Sequence, residues 1–201
     1  MVSHWSQVKF SDEKRFALFN DGPVRVWRRR EDRYRQGFRR QAVKYSVSVM
    51  MWLCIDSRGR SRLCRCAHRQ DSAAYQEILS SNLDFLRHRG GAQRAAQPIV
   101  FQQDGAPSHT SRSTQAFLAA HRVQVLPDWP ANSPDLNLVE NCWAWIARQL
   151  VGQSFGSEDA LEKAIRDAWE SRPATLIPNL YNSMVRKLTA VLAARGDATR
   201  Y

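Results

Sequence analysis

The stretch PIVFQQDGAPSHTS, residues 98–111, decides how this chain is read. Ile99 to Gln103 has the length and apolar start of a short buried strand, and it delivers Asp104 to its C-terminal end. Gly105 and Pro107 follow at once, a turn stiff enough to fix a carboxylate. Two further acids sit in segments of comparable character. Asp12 lies in VKFSDEKRF (8–16), where Trp5 to Phe10 reads as a first strand ending at Ser11-Asp12. Glu140 lies in WPANSPDLNLVENCWAWI (129–146), where Ser133 reads as the cap of a helix that starts at Pro134 and runs to about Leu150. Leu136, Val139, Trp143, Ile146 and Leu150 form the buried stripe of that helix, and Glu140 falls at its border. Asp135 sits where the helix dipole favours an acid and is assigned a cap or turn role.

Two carboxylates at the ends of neighbouring strands and a third on a helix beside them repel one another unless a cation neutralises them. The donors are all oxygen, so Mg2+ is the expected ion, with Mn2+ as its substitute, and three acids suffice for two ions. Asp12, Asp104 and Glu140 are thus the candidate catalytic residues and metal ligands. The chemistry such a pair of ions supports is the cutting and joining of phosphodiesters.

The rest of the chain supplies a frame for these acids. Phe16 to Phe19 reads as a second strand, followed by the turn Asn20-Asp21-Gly22-Pro23 and an alternating segment Val24 to Trp27. Tyr45 to Ile55 reads as a long strand, with Arg60 to Ala67 as its antiparallel partner. Ser72 to Arg87 carries Tyr75, Ile78, Leu79, Leu83 and Leu86 at helical spacing. Ser111 to His121 reads as a helix with His121 as its end cap, Arg122 to Leu126 as a strand, and Ser157 to Glu170 and Leu176 to Ala194 as helices. Strands first, then strand-helix alternation, then helices: the order fits one α/β domain, a mixed sheet with helices on both faces.

A basic arm interrupts this frame at about 24–46. Between Arg25 and Lys44 stand Arg25, Arg28, Arg29, Arg30, Arg33, Arg35, Arg39, Arg40 and Lys44 against two acids, with Trp27, Tyr34 and Phe38 interleaved. One sign of charge with aromatic rings between is the pattern of a nucleic-acid contact. The whole chain agrees, since 30 basic and 19 acidic residues leave a net charge of +11 that favours a polyanion partner. His109 reads first as a residue that holds its turn, with contact to a DNA phosphate or orientation of the attacking group as its other roles. The four cysteines, Cys54, Cys64, Cys66 and Cys142, lack the spacing of a zinc site and are expected to be reduced. No apolar run reaches membrane-spanning length and the start, MVSHWSQVKFSDE, is too polar for a signal peptide. The expected location is intracellular, and nuclear in a eukaryote.

FSDEKRF, FQQDGAPSHTS and LPDWPANSPDLNLVENCWAWI resemble the catalytic domain of mariner-superfamily DNA transposases. The likeness extends more weakly through VWRRR, SVMMWLC and the C-terminal NLYNSMVRKLTAVLAARGDATRY. It implies an RNase H-like fold and cut-and-paste movement of DNA: hydrolysis at element ends, then attack of a 3′-hydroxyl on a TA target. It matches the family's three acids to Asp12, Asp104 and Glu140, and a third Glu resembles the worm-element branch. The 35 residues between Asp104 and Glu140 are one more than that branch usually has, and LPDWP carries the extra one. The basic stretch matches the family's clamp loop, with KYSVS where relatives have more glycine. Double-stranded DNA, as transposon ends and target, is the implied partner, and a homodimer is the assembly the resemblance allows. Such enzymes carry two helix-turn-helix modules ahead of the catalytic domain, whereas this chain begins almost on the first catalytic strand. The expectation is a catalytic domain without them, either still an enzyme or a domesticated DNA-binding or interaction protein.

Overall fold

The computed structural model describes residues 5–17, 48–87, 100–130 and 133–194. The arm at 24–46, with all nine of its basic residues and the alternating segment Val24 to Trp27, lies outside them. So do the last two residues of the strand expected at Phe16 to Phe19.

A mixed sheet organises the rest. A single 3-10 turn, Trp5–Gln7, leads into β1 (Val8–Ala17). β2 (Ser48–Asp56) runs antiparallel to β1 and carries two short partners on its far side, β3 (Gly59–Arg60) and β4 (Cys64–Arg65). β5 (Val100–Gln102) lies parallel to β1 on its other edge, and β6 (Gln124–Val125) lies parallel to β5. The helices are α1 (Ser72–Ser81), α2 (Leu83–Arg87), α3 (Pro107–Thr110), α4 (Arg112–Ala120), α5 (Leu138–Gln149), α6 (Glu158–Glu170) and α7 (Leu176–Ala193).

Both faces of the sheet are covered, and β2 shows why its sequence is almost continuously apolar. Val49, Met51, Leu53 and Ile55 point into a core shared with α5, α6 and α7. Trp52 and Cys54 point the other way, into a core with α1, α2 and α4. Trp52, Trp143 and Trp169 are fully enclosed. Side chains of this size bury 150–250 Å2 each and dominate the hydrophobic contribution to stability.

Several boundaries differ from the sequence reading. β1 is one unbroken strand, so Asp12 stands in its middle, opposite Leu53, and not at a strand end. The polar run Ser11-Asp12-Glu13-Lys14 reads as a break because β5 stops short: its last partner is Gln102 opposite Phe10, and β1 continues alone past that edge. The helix expected over Ser72 to Arg87 divides at the buried Asn82, whose amide donates to Ile78 O while its Oδ1 accepts from Arg62 N. The partner of β2 is not continuous from Arg60 to Ala67, because the Ser61 hydroxyl takes the Cys54 N–H and interrupts the ladder. Pro134 to Leu136 form a turn and α5 starts only at Leu138, capped by Asn137 in place of Ser133. The Gly-Pro turn after β5 tightens into the one-turn helix α3. His121 does end α4, with its N–H on Phe117 O. Among the described residues all four cysteines are free, and no helix is long and apolar enough to cross a membrane.

Candidate active site

The overhang of β1 beyond β5 creates the site. Phe10 and Gln102 are the last parallel partners, and Asp12 and Asp104 each lie two residues further along. Side chains alternate along a strand, so Asp12 shares a face with Phe10, the face that meets α5. Ser11 ties the two segments past the last ladder rung. Its hydroxyl donates to Gln102 O at 2.8 Å, and its N–H reaches Gln102 Oε1 at 3.3 Å. Asp12, Asp104 and Glu140 line one open cleft of about 560 Å3, with Gln102, Trp129 and Asn137 also in its wall. The three acids picked from the sequence are thus brought together.

Asn137 fixes α5 on β1. Its amide donates to Ser11 O at 3.0 Å, and its Oδ1 accepts the Val139 N–H at 3.0 Å. One buried side chain thereby caps the helix and bolts it to the residue before Asp12. Glu140, in the first turn, is held beside that strand. Its carboxylate lies 3.9 Å from Lys14 Nζ, a half-exposed pair worth at most about 1 kcal/mol.

The two aspartates occupy opposite electrostatic settings. Asp12 is raised to about 7, by burial first and then by the charges of Glu140 and Glu13. The Trp143 indole, donating to Asp12 Oδ2 at 2.9 Å, offsets only part of this. Asp104 is held below the usual carboxylate range, chiefly by its hydrogen bond with His109 and against the effect of burial. His109 Nδ1 lies 2.6 Å from Asp104 Oδ1, and the Ala106 N–H donates to the same oxygen at 2.9 Å. Asp104 Oδ2 is therefore the oxygen left to the cleft.

His109 faces away from solvent, packed on Tyr75 with ring centroids 4.0 Å apart and the rings tilted by 32°. Its other nitrogen, Nε2, lies 3.2 Å from Glu13 Oε1. That contact is an ion pair without hydrogen-bond alignment, since Glu13 Oε1 is buried with no hydrogen-bond partner. Burial pushes the imidazole down, but its contacts with Asp104 and Glu13 and their charges outweigh this and hold it up at about 9. His109 is a buried cation between two carboxylates. Tyr75 donates to Gln103 Oε1 at 2.9 Å, and Gln103 donates to His109 O at 3.1 Å, which locks the ring from behind. Both ring nitrogens of His109 face carboxylates of the protein, and the side chain, 4% exposed, is too enclosed for the contact with a DNA phosphate also expected of it.

Sequence reasoning missed Glu13, Trp143, Asn137 and Tyr75 as members of the site. Trp143 was placed in the core stripe, where its ring does lie, and only the indole N–H reaches Asp12. Alternation along β1 is the signal that separates Glu13 from Asp12, and it becomes usable only once β1 is known to be continuous.

The donor set suits a hard divalent cation: carboxylate oxygens only, one of them pushed up to about 7 by burial and by its acidic neighbours. Among the described residues no three His, Cys, Asp or Glu side chains converge on one point. The arrangement is three carboxylates around one open cleft, and not a closed cage.

The profile of the DDE superfamily endonuclease family matches residues 7–162, which span all three acids. The Tc1 transposase of Caenorhabditis elegans is 34% identical over 199 residues, covering 98% of this chain and 71% of that protein. The Tcb2 transposase of Caenorhabditis briggsae is 30% identical over 200 residues, again covering 98% and 71%. Among solved structures, the catalytic domain of the Mos1 mariner transposase superposes with a TM-score of 0.74 at 20% identity, covering 98% of this chain and 86% of that one. The mixed sheet with helices on both faces is the RNase H-like fold of that domain. The chain belongs to the DDE superfamily, as a transposase catalytic domain of the Tc1/mariner kind.

Proposed function

We propose that this domain hydrolyses phosphodiester bonds at the ends of a mobile DNA element and joins the freed 3′-hydroxyl to target DNA, with Asp12, Asp104 and Glu140 as its metal-holding acids. The observation that carries this reading is the clustering of the three carboxylates in one cleft, where Asp12 is pushed up to about 7 by burial and by its acidic neighbours. Mg2+ or Mn2+, as two ions, would supply a water or 3′-hydroxyl of lowered pKa and a stabilised leaving oxygen.

The residues of the chain do the positioning. Trp143 fixes Asp12 Oδ2, His109 and the Ala106 N–H fix Asp104 Oδ1, and Asn137 holds the first turn of α5 against β1. Solved relatives include the Mos1 mariner paired end complex with Mn and the Mos1 Strand Transfer Complex, which supports DNA as the substrate and a divalent metal as the cofactor. The nine basic residues from Arg25 to Lys44 are the proposed DNA-contacting arm, in a homodimer and, in a eukaryote, in the nucleus. The whole of 1–201 is proposed as one catalytic domain.

Supercoiled plasmid incubated with the protein and Mn2+ tests this. Nicking by the wild type is expected, with Asp104→Asn at least about a thousandfold slower and binding Mn2+ more weakly. Unchanged Mn2+ affinity in Asp104→Asn would remove that residue from the metal site.

A further inference from the structure

The last described helix, α7, packs against α5 and carries no acid, yet two of its polar side chains reach the elements that carry Asp12 and Glu140. Tyr181 on α7 donates its hydroxyl to Val8 O at 2.8 Å and lies 3.1 Å from Ile55 O, so it grips β1 and β2 together. Two turns on, Lys187 is only 3% exposed. Its ammonium donates to Asp135 O at 3.0 Å, in the turn before α5, and to Asn141 Oδ1 at 2.9 Å, the residue after Glu140.

These contacts bracket Glu140. Asn137 ties the start of α5 to β1, and Lys187 ties the turn before it and the residue after Glu140 to α7. A buried ammonium is an expensive way to fill space, because charge is costly to desolvate, and an apolar side chain of similar length packs without that cost. Its three donors and its reach suit it to holding backbone and amide oxygens in a fixed arrangement. Asn141 projects from α5 next to the candidate ligand, so the bond to Lys187 limits rotation of the helix about its axis, a motion that Asn137 alone leaves open.

We propose that Lys187 is a positioning residue of the active site, by which α7 sets the rotation of α5 and hence the reach of Glu140 towards Asp12. This rests on the metal-binding reading of the cleft. It assigns α7, beyond the matched residues 7–162, a part in the catalytic geometry.

The test compares Lys187→Met with the wild type by thermal melting in EDTA and by calorimetric Mn2+ titration. Met fills the slot without charge but removes the donor to Asp135 O and Asn141 Oδ1, so the metal-free melting temperature is expected to fall by a few degrees in a protein that still folds. Mn2+ affinity is expected to fall roughly tenfold, as it does when groups that orient metal ligands are removed. Asn141→Ala, which leaves the lysine in place and cuts its hold on α5, is expected to lower Mn2+ affinity as well, by a smaller factor. Wild-type Mn2+ affinity in a folded Lys187→Met overturns the role given to Lys187. Should that variant not fold, Asn141→Ala decides: undiminished affinity there overturns it equally. Absence of Mn2+ binding by the wild type is a different result, which refutes the metal reading of the cleft and this inference with it.

Discussion

Asp12 and Asp104 are the same side chain at equivalent steps along adjacent parallel segments, yet their surroundings treat them in opposite ways. Asp104 meets a cation already built into the protein, the imidazolium of His109, and is held ionised. Asp12 is buried, meets Glu140 and Glu13 and only a neutral indole, and is pushed up to about 7. The difference separates two problems that an acidic site must solve. One carboxylate is oriented before anything binds. The other is left with a charge deficit that an incoming cation would relieve.

The comparison is broken most severely at His109. Its replacement by Ala leaves Glu13, 9% exposed, with its charge buried and no cation opposite it. The expected loss is about 3 kcal/mol at pH 6, read by urea denaturation. The sign in pH follows from the raised pKa. The contribution of His109 is complete below its ordinary 6.5 and is lost as pH rises through about 9. The gap between wild type and variant should therefore narrow between pH 7 and 10. A gap that widens there contradicts the buried-cation assignment.

Asp12→Asn sharpens the other side. Between pH 4 and 7 the folded protein retains a proton on Asp12 that the unfolded chain has released, so metal-free stability falls as pH rises across that window and levels above it. The variant is expected to melt roughly 10 °C higher than wild type in EDTA at pH 8, and level with it at pH 4, while losing plasmid nicking. Equal melting temperatures at both pH values would show that Asp12 carries no electrostatic strain.

Trp143→Phe is the mildest intervention. It keeps a ring against Phe16 but removes the donor to Asp12 Oδ2. A loss of about 1.5 kcal/mol is expected above pH 7, where Asp12 is ionised, and less at pH 5, as for a hydrogen bond to a charged group. A loss independent of pH would assign Trp143 to packing alone.

What the sequence made legible was the chemistry and the broad frame. The three acids, the strand before Asp104, the two C-terminal helices and the sheet covered on both faces are all visible in periodicity and motif. Element edges near the site were not, and for one physical cause. Ser11 to Lys14 are polar because β5 stops beside them and leaves a cleft, so a continuous strand presents the composition of a loop. The start of α5 was misplaced for a related reason. Ser133-Pro134 is a good local cap, but Asn137 makes a tertiary bond to Ser11 O that no local pattern encodes. The pairing of His109 with Glu13 joins residues 96 positions apart and follows only from the alternation of β1.

The bolt between Asn137 and the Ser11 carbonyl has a consequence for how this kind of domain tolerates change. Because the helix is indexed to the strand three residues before Glu140, a change of length between Leu126 and Pro130 falls upstream of the index point. An added residue in LPDWP lengthens the approach without advancing the thread, and Glu140 keeps its station. The same residue inserted between Asn137 and Glu140 would turn the carboxylate by about 100° around the helix, away from the cleft. Length is tolerated ahead of the Asp135 to Asn137 anchor and forbidden between Asn137 and Glu140.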